Sequence, residues 1–312
     1  MKTKVSIVIP CYNSSLTLRD VVGEIQMAFV NREDYSCELV LVNDASIDNT
    51  IDVINGLCEE NSNIIGIDLA KNRGQHAAIM AGMAYSSGEF VFSIDDDGQT
   101  PGDSIFTMLR EIEKGYDVVC GRFVKRPKRS VIRRFGTWVN TSVRNWLLDV
   151  PKGIYLSIFF VARRFVVDEI LKYKNPYPYM AGLILRTTDN IGSIDVVQKE
   201  RLASSSGYTF SKLFSLWLNG FTAFSIKPLR VSTFIGLISA AVGLIVALII
   251  VINKIIDPSY VAGWVSTVAS SLVLNGIILF MLGLVGEYIG RIYISINESP
   301  LYVVRKVIKK KV

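Results

Sequence analysis

Phe90-Val91-Phe92-Ser93-Ile94-Asp95-Asp96-Asp97-Gly98-Gln99 runs from an apolar, β-type segment straight into three adjacent carboxylates. In open α/β sheets ligands bind beyond the carboxyl ends of the strands, so a polar cluster at a strand end marks a ligand crevice. Neighbouring carboxylates repel unless a cation or a proton intervenes. Hard oxygen donors of this kind suit Mg²⁺ or Mn²⁺ carrying a diphosphate. An acidic turn that merely caps the next helix would look the same in isolation.

Outward from this stretch, residues 5–10, 38–43 and 64–69 form further apolar runs, while 16–29, 50–61 and 75–86 show helical spacing. The order βαβαβαβ predicts a mostly parallel sheet with helices on both faces. Loops 10–15, 44–49, 71–75 and 95–101 should then converge at its carboxyl edge.

Of the 312 residues, 50% are hydrophobic, and the excess is concentrated near the end of the chain. Residues 231–253 and 258–286 carry no charged side chain. Each is long enough to cross a hydrocarbon core of about 30 Å, so a two-helix transmembrane hairpin is expected. Gly236, Ala240, Gly243, Gly283, Gly286 and Gly290 would allow close helix approach and self-association into a homo-oligomer. Lys227 and Arg230 precede the hairpin; Arg291, Arg305, Lys306, Lys309, Lys310 and Lys311 follow it. By the positive-inside bias both ends are cytosolic, and the loop holding Lys254 and Asp257 lies outside. The chain enters a strand pattern from its start, which places residues 1 to about 230 in the cytosol. The net charge of +6 suits anionic lipid headgroups better than nucleic acid, for which no base-reading pattern occurs. Cys11, Cys37, Cys58 and Cys120 lack metal-type spacing and are expected as buried thiols in a reducing compartment.

Between these regions lies the basic stretch Lys125, Arg126, Lys128, Arg129, Arg133 and Arg134, leading into apolar residues at helical spacing as far as Leu148. The pattern fits a helix in the membrane interface and equally a helix packed on the sheet. Residues 212–224 form a second such segment. The expected organisation is a catalytic domain over 1–211, with the basic segment at about 122–150, and a juxtamembrane interfacial helix over 212–230. Spans at 231–253 and 264–286 and a basic cytosolic tail over 287–312 complete it.

Several motifs, taken together, resemble a known family. They are Ile9-Pro10-Cys11-Tyr12-Asn13, Val42-Asn43-Asp44-Ala45-Ser46-Ile47-Asp48-Asn49-Thr50, Asn72-Arg73-Gly74-Gln75-His76, Asp95-Asp96-Asp97-Gly98-Gln99 and Gly286-Glu287-Tyr288-Ile289-Gly290-Arg291. In order and spacing they resemble the membrane-anchored family 2 glycosyltransferases that load sugars onto polyprenyl phosphate. Dolichyl-phosphate mannose synthases and bacterial undecaprenyl-phosphate glycosyltransferases are such enzymes. The resemblance implies a GT-A, Rossmann-like α/β domain, a UDP- or GDP-sugar donor, a divalent metal and a polyprenyl phosphate acceptor at the cytoplasmic membrane.

It further implies that Asp44 contacts the nucleoside, that Asp48 supports its loop, and that Pro10, Tyr12, Asn13, Gly74, Gln75 and Gln99 line the nucleotide-sugar site. Asp95 would lie near ribose and sugar and Asp97 would hold the metal, while the middle residue, Asp96, is expected in solvent. Arg201 is similar to a family arginine and is assigned to a phosphate, which guanidinium binds bidentately. Ser206, Tyr208 and the basic residues Lys125, Arg126, Lys128 and Arg129 are assigned to the acceptor phosphate. The only histidine, His76, is expected to pack rather than react.

The chain departs from the family in having Ser14 where many members carry Glu, Gly207 where some carry a basic residue, and no acid in 153–157. A phosphate monoester has a second pKa of about 6 and needs no strong base, so the missing acid favours a lipid phosphate over a sugar hydroxyl. The resemblance implies metal-dependent, inverting transfer of one sugar to that acceptor. A carbohydrate acceptor and a non-catalytic membrane adaptor are the alternatives.

Overall fold

The computed structural model describes residues 2–30, 32–124, 142, 145, 146, 148–151, 153–175, 178–197, 199, 227–256, 263–297 and 300–310. The chain divides into two compact units, Met1–Ser215 with Glu298–Val312, and Leu216–Asn297.

The first unit begins β1 (Thr3–Cys11), α1 (Leu18–Val30), β2 (Tyr35–Asn43), α2 (Thr50–Glu60), β3 (Ile64–Leu69), α3 (Gln75–Tyr85) and β4 (Phe90–Ser93). This is the order expected from periodicity. It continues with α4 (Asp103–Ile112), β5 (Val118–Phe123), β6 (Phe160–Arg163), α5 (Arg164–Leu171), α6 (Met180–Thr187) and β7 (Ile191–Val196). The last strand, β8 (Val304–Ile308), follows the second unit. All belong to one eight-stranded sheet of order β7-β5-β6-β4-β1-β2-β3-β8. The pairs β1–β2, β2–β3, β1–β4 and β5–β7 are parallel, whereas β6 runs antiparallel to β4 and β5, and β8 antiparallel to β3.

Central strands of such a sheet are covered on both faces, which is why β1 and β2 read as unbroken apolar runs. One face packs Ile7, Ile9, Leu39, Leu41, Phe90 and Phe92 against the apolar stripes of α1 and α4, Leu18, Val22, Ile25, Ile105 and Leu109 among them. On the other face sits α3, whose Ala77–Met83 segment is buried throughout. Gly82 brings that helix close: a Cβ there would meet Val8 Cγ1 at 2.3 Å and Val42 Cγ2 at 3.0 Å.

Within 287–312, expected as a basic tail, the described residues include two regular elements. Residues up to Ile296 extend a helix, and Val304–Ile308 form the edge strand β8. This edge strand, Val304-Arg305-Lys306-Val307-Ile308, buries only Ile308 and keeps its basic residues largely exposed, so basic-residue counting does not separate it from a tail.

The second unit contains α7 (Lys227–Ile256) and α8 (Trp264–Ile296). Both are long and apolar enough to cross a membrane. Their large side chains face outward, Leu237 being 68% and Phe280 69% exposed, unlike the buried helix of a soluble core. Gly236 lies against Met281 of the neighbouring helix, with Met281 Cε 3.7 Å from the place of its missing Cβ. Gly243, Gly283, Gly286 and Gly290, expected in the same seam, have no such neighbour within 4 Å among the described residues. The interfacial segments around 125–141 and 212–224 lie outside the described residues.

Candidate active site

Strand order reverses between β1 and β4, so the loops that follow these two strands flank the sheet's switch point, where open α/β folds form their crevice. The acidic loop after β4 and the Tyr12–Thr17 loop after β1 are joined there. Asp96 Oδ2 accepts the Tyr12 amide at 3.2 Å and the Ser14 hydroxyl, and Thr17 Oγ1 donates to Asp96 O at 2.7 Å. The expectation of a solvated Asp96 is thereby corrected: the carboxylate is a strut between two loops. Burial pushes its pKa up, with Asp97 adding to the rise, while bonds from Ser14 and Tyr12 pull the other way. Ser14 also donates its backbone amide to Thr50 Oγ1 at 2.8 Å.

The loop after β2 is tied to the same place. Asn13 N donates to Ser46 Oγ and Ile47 N to Asn13 Oδ1, both at 3.0 Å. Asn13 and Ala45 both hold left-handed backbone, φ 55° and 52°, which for Ala45 is sterically costly and is found where surrounding bonds impose it. Asp48 accepts the Ser15 amide at 3.1 Å, the Thr50 amide at 3.1 Å and the Thr50 hydroxyl at 2.5 Å. Burial raises its pKa, but the Thr50 and Ser15 bonds prevail and hold it below the usual range. Asp48 thus braces the loop.

Asp44 is buried and accepts the Arg73 and Gly74 amides, one on each oxygen, both at 2.8 Å. Burial raises its pKa against the pull of these amides. Gly74 holds φ 84°, backbone that a side chain would strain, and this turn aims both amides at the carboxylate. Gln75 Nε2 then donates to Asp95 Oδ1 at 2.6 Å, linking the β3 loop to the acidic one. Asp97 Oδ1 accepts the Gln99 amide at 3.1 Å. Lys199 N donates to Gln99 O at 3.0 Å, and Lys199 Nζ pairs with Glu24 at 2.5 Å.

The structure thus joins Tyr12, Asn13, Asp44, Asp48, Gly74, Gln75, Asp95, Asp97 and Gln99 in one network of loops. Tyr12 is 48% exposed beside it. Pro10 is instead a buried strand residue of β1. Arg201, Ser206, Tyr208, Lys125, Arg126, Lys128 and Arg129 lie outside the described residues. His76 packs: Nδ1 accepts the Met180 amide at 3.4 Å, Tyr179 meets the ring edge-on, and burial lowers its pKa to about 4. Ser157 spends its hydroxyl on Gly121 O and Phe159 O, at 2.9 and 2.7 Å. Sequence reasoning missed Ser14, Asp96 and Asp68 as supports. For Asp68 the signal was there, a charged residue inside the apolar strand β3.

Among the described residues no group of three or more His, Cys, Asp or Glu could enclose an ion. Asp95 and Asp97 offer two hard carboxylates, which fits an ion such as Mg²⁺ that keeps most of its positions for substrate phosphates and water.

The sequence model of glycosyl transferase family 2 matches residues 6–171, the span that holds this whole network up to Gln99. The chain belongs to glycosyl transferase family 2. A second model, the GtrB C-terminal hairpin, matches residues 227–292, across α7 and most of α8. The family member named SfII prophage-derived bactoprenol glucosyl transferase, from Shigella flexneri, is 30% identical over 97% of this chain and 98% of its own length. An undecaprenyl-phosphate 4-deoxy-4-formamido-L-arabinose transferase of Photorhabdus laumondii is 32% identical over 98% of this chain and 94% of its own. In three dimensions the chain shares its fold with Mycobacterium tuberculosis glucosyl-3-phosphoglycerate synthase, solved with Mn²⁺, UDP and glucosyl-3-phosphoglycerate. That likeness has TM-score 0.53 and 16% identity, over 70% of this chain and 78% of the other. The sheet is accordingly of GT-A type, as expected.

Proposed function

We propose that this glycosyltransferase moves a single sugar, with inversion, from a nucleotide-diphosphate sugar to a polyprenyl phosphate at the cytosolic membrane face. The observation that carries it is the loop network at the switch point, which presents Asp95 and Asp97 beside the nucleoside-side loops of Asp44 and Asn13. Relatives that match this chain along nearly its whole length, hairpin included, support the lipid-phosphate acceptor.

Asp44 and its neighbours Asn13 and Ser46 would face the nucleoside, with the half-exposed Tyr12 ring beside them. Asp95 and Asp97 would hold a divalent metal, which when bound offsets the charge that builds on the departing diphosphate. Arg201 follows closely on Lys199, whose backbone is fastened to Gln99 in the acidic loop. Its assignment to a phosphate rests on the family resemblance and on the bidentate fit of guanidinium to phosphate oxygens. Lys125, Arg126, Lys128, Arg129, Ser206 and Tyr208 are proposed for the acceptor phosphate. Ser157 is committed to backbone carbonyls, and a phosphate acceptor that is already ionised needs no base in its place.

The strand β8 supports a membrane topology. It follows α8 in sequence yet pairs with β3 in the catalytic sheet, so the two helices together leave and regain one compartment. A hairpin of two spans, with both flanks cytosolic, satisfies this.

The test is transfer of radiolabel from a panel of UDP- and GDP-sugars to undecaprenyl phosphate in detergent, with Mn²⁺ or Mg²⁺ and with EDTA. One labelled lipid that disappears with EDTA and in Asp97→Ala is expected. Label in a polar glycan only, or full transfer by Asp97→Ala, would overturn the assignment.

A further inference from the structure

The register of β8 slips at one place: Lys306 pairs with Asp68 and Val304 with Leu69, which leaves Arg305 as the extra, bulged residue. A bulge re-aims the side chain it carries and is over-represented beside active sites. Here the Arg305 guanidinium donates to Asp68 Oδ2 at 3.1 Å and to Ala70 O at 3.1 Å. Asp68 Oδ1 accepts Asn43 Nδ2 at 2.8 Å, and Asn43 Oδ1 accepts the Ser46 amide at 3.1 Å. A continuous chain of bonds therefore runs from the strand that follows the hairpin to the turn that carries Asp44. The Asp68 side chain is 8% exposed and that of Arg305 59%. A carboxylate so buried needs its hydrogen-bond partners to be held in place.

We infer that Arg305 is a positioning residue for nucleotide binding: through Asp68 it fixes Asn43, and so sets the 43–46 turn for the donor's nucleoside. Ala70, its second acceptor, opens the loop whose Arg73 and Gly74 amides hold Asp44, so both sides of the Asp44 carboxylate are referenced to one guanidinium. The hairpin's return strand is thereby part of the donor site. The inference rests on the proposed nucleoside role of the Asp44 loop.

Two readouts test it on the full chain in detergent. The first is amide hydrogen exchange at Ser46 without nucleotide, which reports the turn whatever the enzyme's donor is. Arg305→Ala and the size-conserving Asp68→Asn should each speed it about tenfold, with Arg305→Lys in between because it reaches Asp68 but cannot also fork to Ala70. Lys310→Ala, on the same terminal segment but bonded to Glu60 O, should leave it unchanged. The second readout is steady-state kinetics: donor KM should rise about tenfold in Arg305→Ala with kcat within about twofold, a loss of binding rather than of chemistry. Ser46 exchange that stays at the wild-type rate in both Arg305→Ala and Asp68→Asn would overturn the positioning role. Faster exchange with unchanged donor KM would overturn its bearing on nucleotide. Should the wild type bind and use no nucleotide-sugar, the donor proposal fails and the exchange rates still decide whether Arg305 orders the turn.

Discussion

Asp96, half-buried, and Glu38, buried, show how two carboxylates held by hydrogen bonds come to differ. Asp96 accepts Tyr12 N and the Ser14 hydroxyl but sits beside Asp97, and burial raises its pKa. Its worth is positional: Asp96→Ala frees the Tyr12–Thr17 loop from the acidic loop. A stability loss of about 2 kcal/mol is expected, from lost bonds to a charged acceptor, and a rise in donor KM should accompany it. Thermal unfolding and donor titration check both, and an unchanged KM would show that the two loops hold without it. Glu38 is buried at 7% exposure and accepts Ser6 Oγ, Ser87 N and Ser87 Oγ while pairing with Lys4 at 2.7 Å. Burial raises its pKa, yet Lys4, Ser6 and Ser87 outweigh it and the folded value lies below the usual one. A depressed folded pKa means stabilisation that is complete above the unfolded value of about 4.3 and is lost as pH falls through the folded value. Glu38→Gln should cost about 2 kcal/mol at pH 7, and its gap from the wild type should close in acid. A gap that stays constant from pH 7 to pH 3 would show that charge is not what Glu38 contributes. That Asp44, Asp95 and Asp97 lie in loops at the sheet's carboxyl edge was legible because acids at strand ends are a local signal. The partners of Asp96 were not, since they come from a loop far away in sequence.

At the scale of elements, α3 owes its place to small residues. It carries no polar stripe, and Ala77, Ala78, Ala81 and Gly82 let it lie flat on β1 and β2 with its amino end at the Gly74 turn. Gly82→Ala would drive a methyl group into Val8 and Val42, so about 2 kcal/mol of destabilisation is expected from overpacking. It should appear as a lowered melting temperature of the catalytic unit; a variant as stable as wild type would mean the helix can shift outward at no cost. The strands β1 to β4 and the helices between them were readable because each carries its own periodicity. By contrast β6 is a four-residue strand inserted antiparallel between β4 and β5, and β8 comes from the far end of the chain. Neither has a local pattern that names its partner.

For the whole molecule, the proposed topology makes one direct prediction. With both flanks cytosolic, the loop between α7 and α8 is on the opposite face of the membrane. A Lys254→Cys variant, in the last turn of α7 next to that loop and not in the loop as hydropathy alone suggested, should react with a membrane-impermeant maleimide in sealed right-side-out vesicles, whereas the native cysteines, three buried and Cys37 half-buried, should stay unlabelled. Labelling of Lys254→Cys only after the vesicles are opened would reverse the orientation. The apolar spans, the parallel α/β core and the carboxylates at its edge were determined by sequence alone, because hydropathy and strand or helix periodicity act over a few neighbouring residues. Tertiary structure decided the rest: that Asp96 is a strut, that Pro10 is buried, and that the return strand brings Arg305 to Asp68. These depend on contacts between residues tens to hundreds of positions apart, and only closure of the sheet, which sets strand order and register, brings them within hydrogen-bond distance.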